Sequence, residues 1–157
     1  MSPNESAEGQ PLARLFAIAY RLLVGGLHER LGTLGWTDVR PAFGFVLLAA
    51  RDRPTTSTEL AALMGTTKQA ASKLVDTMVA GGYVRRGVGD EDRRERPIHL
   101  TARGQALLAT VEQIYVELEG DWAAIIGASS VERIRRDLVR VLSKGQAGGL
   151  PPVRPTW

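Results

Sequence analysis

Thr67, Lys68, Gln69, Ser72 and Lys73 gather short donors, acceptors and two cations within one helical turn or two. Gathered on one side of a helix, side chains of these types read a surface. Glutamine bonds bidentately to adenine, lysine reaches guanine or a phosphate, and the amides at a helix N-terminus favour a phosphate nearby. Further on, Asp90, Glu91, Asp92, Arg93, Arg94, Glu95 and Arg96 form an unbroken charged run that stops at Pro97-Ile98-His99-Leu100-Thr101. A hairpin carried beside a reading helix reaches the flanking minor groove, where arginine inserts well. Arg93, Arg94 and Arg96 stand at or near its tip, and Asp92 is spaced to hold the Arg94 guanidinium by a charged hydrogen bond. The acids Asp90, Glu91 and Glu95 run against a phosphate partner.

Other chemistry finds little support. The chain has no cysteine, which removes disulfides, thiolate metal sites and thiol nucleophiles. Its two histidines, His28 and His99, lack a metal-binding spacing, and Gly25-Gly26 and Gly81-Gly82 lack a phosphate-cradling pattern. No enzyme activity, cofactor or metal is expected. The longest strongly apolar run, residues 45–50, is too short to cross a bilayer, and the polar, acidic start is unlike an export signal. A cytoplasmic protein with no membrane contact is therefore expected.

Charge is unevenly placed. Residues 51–103 hold ten Lys/Arg against seven Asp/Glu, a net +3, and the remainder holds ten of each. The whole excess lies in the middle third, where an anionic partner is attracted.

Helices must position these residues. Residues 1–10 read as a disordered tail and 145–157 as a flexible one. Leu12, Leu15, Phe16, Ala19, Leu22, Leu23, Leu27 and Leu31 recur at helical spacing, with Gly25-Gly26 either weakening that helix or admitting a close neighbour. A second helix carries Phe43, Val46, Leu47 and Ala50, with Thr37 or Asp38 as its cap and Pro41 in its first turn. Thr56 and Glu59 offer a capping box for a short helix ending at Gly65, after which Thr66-Thr67 starts another that runs to Ala80.

Val84, Arg86 and Val88, then Ile98 and Leu100, alternate as two short strands joined by the charged run. Pro97 confines the second strand to an edge at that residue. Thr101 caps a long helix ending at Gly127, and Ser129 to Glu132 suggests a second capping box for a last helix bearing Val131, Ile134, Leu138, Val141 and Leu142.

Two helices across a tight turn, followed by a hairpin, make a winged helix-turn-helix. Leu60, Met64, Ala71 and Leu74 suit its buried seam, Ala61 the close crossing and Gly65 the turn. The fold class is mainly α with a small two-stranded β-hairpin. A DNA-binding lobe over 35–100 is flanked by helical segments over 11–34 and 101–144.

The motif Asp92-x-Arg94, then Leu100-Thr101 and Gly104, follows the stretch "ELAALMGTTKQAASKLVDTMVAGGYVRR" of residues 59–86. In these features the chain resembles the MarR (multiple antibiotic resistance regulator) family of bacterial transcriptional regulators, over about residues 12–144. The resemblance implies that Arg94 is a wing arginine with Asp92 its partner, and that 67–73 is the front of the recognition helix. It also implies a homodimer built from the first and last two helices, with 11–34 and 101–144 as the dimerisation region, acting as a repressor on a pseudo-palindromic duplex-DNA operator. A pocket for a small aromatic or phenolic effector is implied between dimer helices and DNA lobe; Tyr20, His28, Trp36, Arg40, Phe43 and Tyr115 are its candidates. Arg40 suits a carboxylate, whereas aromatics at helical spacing are more often core, and His28 beside Glu29 and Arg30 reads as a helix-surface residue. The alternatives are a winged helix serving protein contact, or an activator without an effector. RNA recognition lacks its aromatic stacking platform at 67–73.

Overall fold

The computed structural model describes residues 9–88 and 95–144. α1 (Leu12–Thr33) follows the helical spacing of its apolar residues. Leu27 and Leu31 are buried, while Leu12, Leu15, Phe16 and Leu22, nearer its start, are exposed. The glycine pair does not break this helix. A Cβ on Gly26 would stand 2.8 Å from Leu118 Cδ2 of α5 (Ala102–Ile126), so Gly26 admits a close neighbour; at Gly25 a Cβ meets nothing within 4 Å.

α2 (Phe43–Ala49) begins later than the capping signals imply. Neither Thr37 nor Asp38 caps it: its N-cap is Ala42, without a side-chain bond, and Pro41 precedes the helix. Asp38 instead accepts a hydrogen bond from the Tyr83 hydroxyl at 2.6 Å, a tertiary partner that takes the carboxylate away from local capping.

The Thr56–Glu59 capping box forms. Thr56 Oγ1 accepts from Glu59 N at 3.2 Å, and the Glu59 carboxylate accepts from Thr56 N at 3.0 Å. Such a cap contributes about 1 kcal/mol and starts α3 (Ser57–Leu63). Gly65 then takes a φ of +56°, a left-handed conformation that glycine adopts without strain. Directly after it α4 (Lys68–Ala80) opens on the N-cap Thr67, whose hydroxyl accepts from Ala70 N at 3.1 Å. Leu60, Ala61, Met64, Ala71 and Leu74 are buried where α3 and α4 pack.

β1 (Val84–Arg86) pairs antiparallel with β2 (Ile98–Leu100), Val84 opposite Leu100 and Arg86 opposite Ile98. Val88 lies beyond β1 and is exposed. The edge expected at Pro97 does not continue into β2. Ile98 N donates to Thr55 O at 2.8 Å and Ile98 O accepts from Thr55 N at 3.1 Å, so the segment before α3 adds a one-residue rung on the far side of the strand.

Thr101 caps α5 by accepting from Gly104 N at 3.1 Å. α6 (Ala128–Leu142) follows Gly127, whose φ is +87°. The box expected at Ser129 is absent. Gly127 is the N-cap, and its carbonyl already accepts from Ser130 N and Val131 N, which places Ser129 inside the first turn. One core runs from α1 through the winged lobe to α5, with Leu31, Phe43, Leu60, Val75, Tyr83, Ile98 and Leu107 buried. α6 contributes no buried residue. No helix among the described residues is long and apolar enough to cross a membrane.

Candidate nucleic-acid interface

The apolar face of α4 fixes what its other face presents. Ala71, Leu74, Val75 and Met78 point into the core, which leaves Thr67, Lys68, Gln69 and Lys73 exposed. Ser72 is half-buried instead. Its hydroxyl donates to Ser57 Oγ at 3.0 Å and ties the front of α4 to α3. Gln69 and Lys73 make no side-chain hydrogen bond or ion pair among the described residues, so both are available to a partner.

The wing's contribution is partly described. Arg96 is exposed, as is Arg85 on β1. Arg86 is bound back to Asp76 of α4 at 2.7 Å and is mostly covered. Asp92, Arg93 and Arg94 lie outside the described residues. Glu95 is one of three acids, with Asp90 and Glu91, to which the sequence assigns no role; its carboxylate pairs with the Lys68 ammonium and accepts from Thr58 Oγ1 at 2.7 Å. These two donors, the lysine first, hold its carboxyl below the usual carboxylate range.

A second feature joins the lobe to α5. Tyr83 is fully buried. Its hydroxyl donates to Asp38 and accepts from Arg103 at 3.0 Å. The Arg103 guanidinium also lies over the rings of Tyr83 and Trp36, 4.7 Å and 5.3 Å from their centroids. Burial first, then the bond to Asp38, pushes the Tyr83 phenol up from its ordinary value. One signal for this cluster was present in the sequence. An arginine in a helix's first turn is placed against the helix dipole, so Arg103 needed a tertiary reason to be there.

Between α1, α2 and α5 lies an open cavity of about 420 Å³. Tyr20, His28, Arg40 and Tyr115 line it; Trp36 and Phe43 do not. Trp36 belongs to the Arg103 cluster, and Phe43 is buried core, edge-on to Tyr83 with centroids 5.6 Å apart. His28 is half-buried and not fully on the surface. It turns inward, its Nε2 is buried without a partner among the described residues, and that burial lowers its pKa against the opposing effect of the Val39 backbone. At the cavity's rim Arg51 pairs with Glu112 and Arg135 with Glu119. Arg40 makes no ion pair among the described residues. Burial, then the neighbouring Tyr20, pushes the Tyr115 phenol up. No group of three acidic or histidine side chains among the described residues could hold a metal.

Residues 44–95, which contain α3, the tight turn, α4 and β1, match the family model described as MarR family. Over 57 residues the chain is 39% identical to the HTH-type transcriptional regulator PetP of Rhodobacter capsulatus. The match spans 36% of this chain and 34% of that protein, about a third of each. The crystal structure of apo wild-type MarR from E. coli superposes with a TM-score of 0.67 at 26% identity, covering 84% of this chain and 97% of that one. Over residues 44–95 the chain is therefore similar to the MarR family. Another MarR family protein, Rv2887 of Mycobacterium tuberculosis in complex with salicylic acid, shares the fold at a TM-score of 0.64 and 24% identity. It covers 86% of this chain and 98% of that one. The matched segment holds the exposed front of α4 and ends at Glu95.

Proposed function

We propose that this protein is a transcriptional regulator that binds duplex DNA as a homodimer. The observation that carries the reading is the front of α4. Lys68, Gln69 and Lys73 project from a helix whose opposite face is locked into the core, within the segment that matches the MarR family model. A helix held this way enters the major groove with its N-terminal residues toward base edges. Arg93, Arg94 and Arg96 of the wing serve the flanking minor groove, with Asp92 orienting Arg94. Thr67 and Ser72 act on the helix itself, one as its cap and one as its tie to α3.

The dimer is built from residues 11–34 and 101–144. Leu12, Phe16 and Leu22 of α1, Ile125 of α5 and Val141 and Leu142 of α6 are exposed in the single chain, an apolar surface too large to leave wet. A two-fold dimer presents two copies of α4 and therefore reads a pseudo-palindrome, with half-sites about one helical turn apart. Seated on a promoter it represses by blocking polymerase.

The cavity between α1, α2 and α5 takes a small aromatic or phenolic acid. Tyr20 and Tyr115 offer ring contacts and Arg40 offers a cation that has no ion pair among the described residues. The salicylic acid in the structurally similar Rv2887 supports that ligand class. Such a ligand lowers operator affinity by binding better to a dimer with a different lobe spacing.

Selection of sites from random duplex DNA, followed by a salt titration, tests the reading. Enrichment of a two-fold symmetric motif bound with steep salt dependence is the expected result. No binding to any duplex at low salt would remove DNA as the partner.

A further inference from the structure

Among the described residues, Glu95 is the one acid of the charged run, and it points back into the fold. Its side chain is 24% exposed against 58% for Lys68, with which it pairs. Thr58 on α3 donates its hydroxyl to the same carboxylate at 2.7 Å. Three elements therefore meet at one carboxylate: the C-terminal arm of the wing, the first turn of α3 and the first residue of α4. The partners keep it ionised at neutral pH.

Two physical consequences follow. The Lys68 side chain loses rotamer freedom and is held at the front of α4. Its charge is also cancelled locally by an anion standing on the face that meets DNA. Binding to arbitrary duplex is almost wholly phosphate electrostatics, while sequence is read by base-edge contacts. A fixed carboxylate beside the leading cation therefore weakens the first kind of binding more than the second. Lys73, Arg85 and Arg96 make no ion pair among the described residues and keep their full pull on phosphate.

We propose that Glu95 is a specificity-determining residue. It positions Lys68 for reading and offsets that lysine's attraction for phosphate, so that arbitrary DNA is held weakly. This rests on the DNA-binding reading above.

The test compares wild type with Glu95→Gln, which keeps an oxygen for Thr58 and loses the charge. Each is titrated with salt on a duplex of arbitrary sequence and on a duplex selected by the wild type from a random pool. Glu95→Gln is expected to bind the arbitrary duplex about three- to tenfold tighter near 0.1 M salt, with a log–log salt slope steeper by about 0.9 per protomer. The selected duplex gains less than twofold, so discrimination falls. An unchanged or weakened affinity for arbitrary duplex, or an equal gain on both duplexes, overturns the proposal. Lys68→Gln provides a second arm that does not depend on how Glu95→Gln folds. It should cost under twofold on arbitrary duplex and about tenfold or more on the selected one; the reverse order overturns the proposal. Wild type that binds neither duplex removes the DNA reading itself, and that result is seen before any variant is compared.

Discussion

The hydroxyl of Tyr83 donates to the carboxylate of Asp38 at 2.6 Å, joining the loop before α2 to the turn between α4 and β1. The bond is built from a fully buried ring and a carboxylate that is about half exposed. Tyr83→Phe keeps the ring packing against Phe43 and Trp36 and removes one donor and one acceptor. Asp38 remains solvated and Arg103 retains its ring contacts, so the loss should be about 1 kcal/mol, measured by urea unfolding. A loss below about 0.3 kcal/mol would mean that water replaces the bond at no cost.

Gly104 makes the sharper packing prediction. A Cβ there would fall 2.0 Å from the backbone oxygen of Tyr83, an atom no rotamer change can move. Gly104→Ala must shift α5 against the hairpin and should destabilise the chain by about 3 kcal/mol, at the upper end of overpacking costs. Gly32→Ala is the control. It lies in the last turn of α1 with nothing within 4 Å of the added carbon, and should be neutral or stabilising by up to about 0.5 kcal/mol. Equal melting temperatures for the two variants would contradict the close approach at Gly104.

Local signals in this sequence were legible where no distant group competed for them. The capping box at Thr56, the cap at Thr101 and the left-handed Gly65 depend on neighbours within a few residues, and the buried seam of Leu60, Met64, Ala71 and Leu74 depends on two helices joined by one tight turn. Asp38 has the same capping chemistry, yet Tyr83, 45 residues away, claims it. Ser129 failed as a cap because the positive φ of Gly127 started α6 sooner. The site divides the same way. Exposure of Lys68, Gln69 and Lys73 follows from helical period, whereas the Glu95–Lys68–Thr58 contact joins three elements, and no periodicity encodes it. His28 misled for a related reason: charged sequence neighbours say little about which face of α1 meets α2 and α5.

Gln69 carries a prediction about reading rather than stability. It is exposed in the first turn of α4 and makes no side-chain bond among the described residues, so Gln69→Ala should leave the melting temperature unchanged. On the selected duplex it should cost about 1–3 kcal/mol, the worth of a bidentate base contact, with little change on arbitrary duplex. If both duplexes weakened alike in a quantitative shift assay, Gln69 would contact the backbone instead of a base.

His28 gives the fold a pH dependence with a definite sign. Burial holds its folded pKa below the ordinary 6.5. Below about pH 6.5 the unfolded chain takes up a proton that the folded chain resists. Stability is therefore full above that pH and falls as pH drops toward the folded pKa. The residue contributes no slope above its unfolded value. Urea unfolding of wild type and His28→Gln from about pH 8 to about pH 5 isolates the effect as a difference, since other titrating groups are shared. The wild type should lose more stability than the variant on acidification, and parallel curves would show that water reaches Nε2.

Arg40 is expected to set the ligand preference of the cavity between α1, α2 and α5. Arg51 and Arg135 at the rim are already neutralised by Glu112 and Glu119, which leaves Arg40 as the lining cation without an ion pair among the described residues. A carboxylate entering beside Tyr20 and Tyr115 would meet that charge, whereas a neutral ring would gain only the apolar contacts. Salicylate and benzoate should therefore raise the melting temperature of the wild type more than benzamide does at equal concentration. Arg40→Ala removes a charged hydrogen bond worth about 1.5–3 kcal/mol, so the acids should lose roughly tenfold or more in affinity while benzamide changes little. Calorimetric titration separates these outcomes. An Arg40→Ala variant that bound salicylate as tightly as wild type would assign the carboxylate to His28 or to the rim arginines, and the cavity's preference for acids would then have a different source.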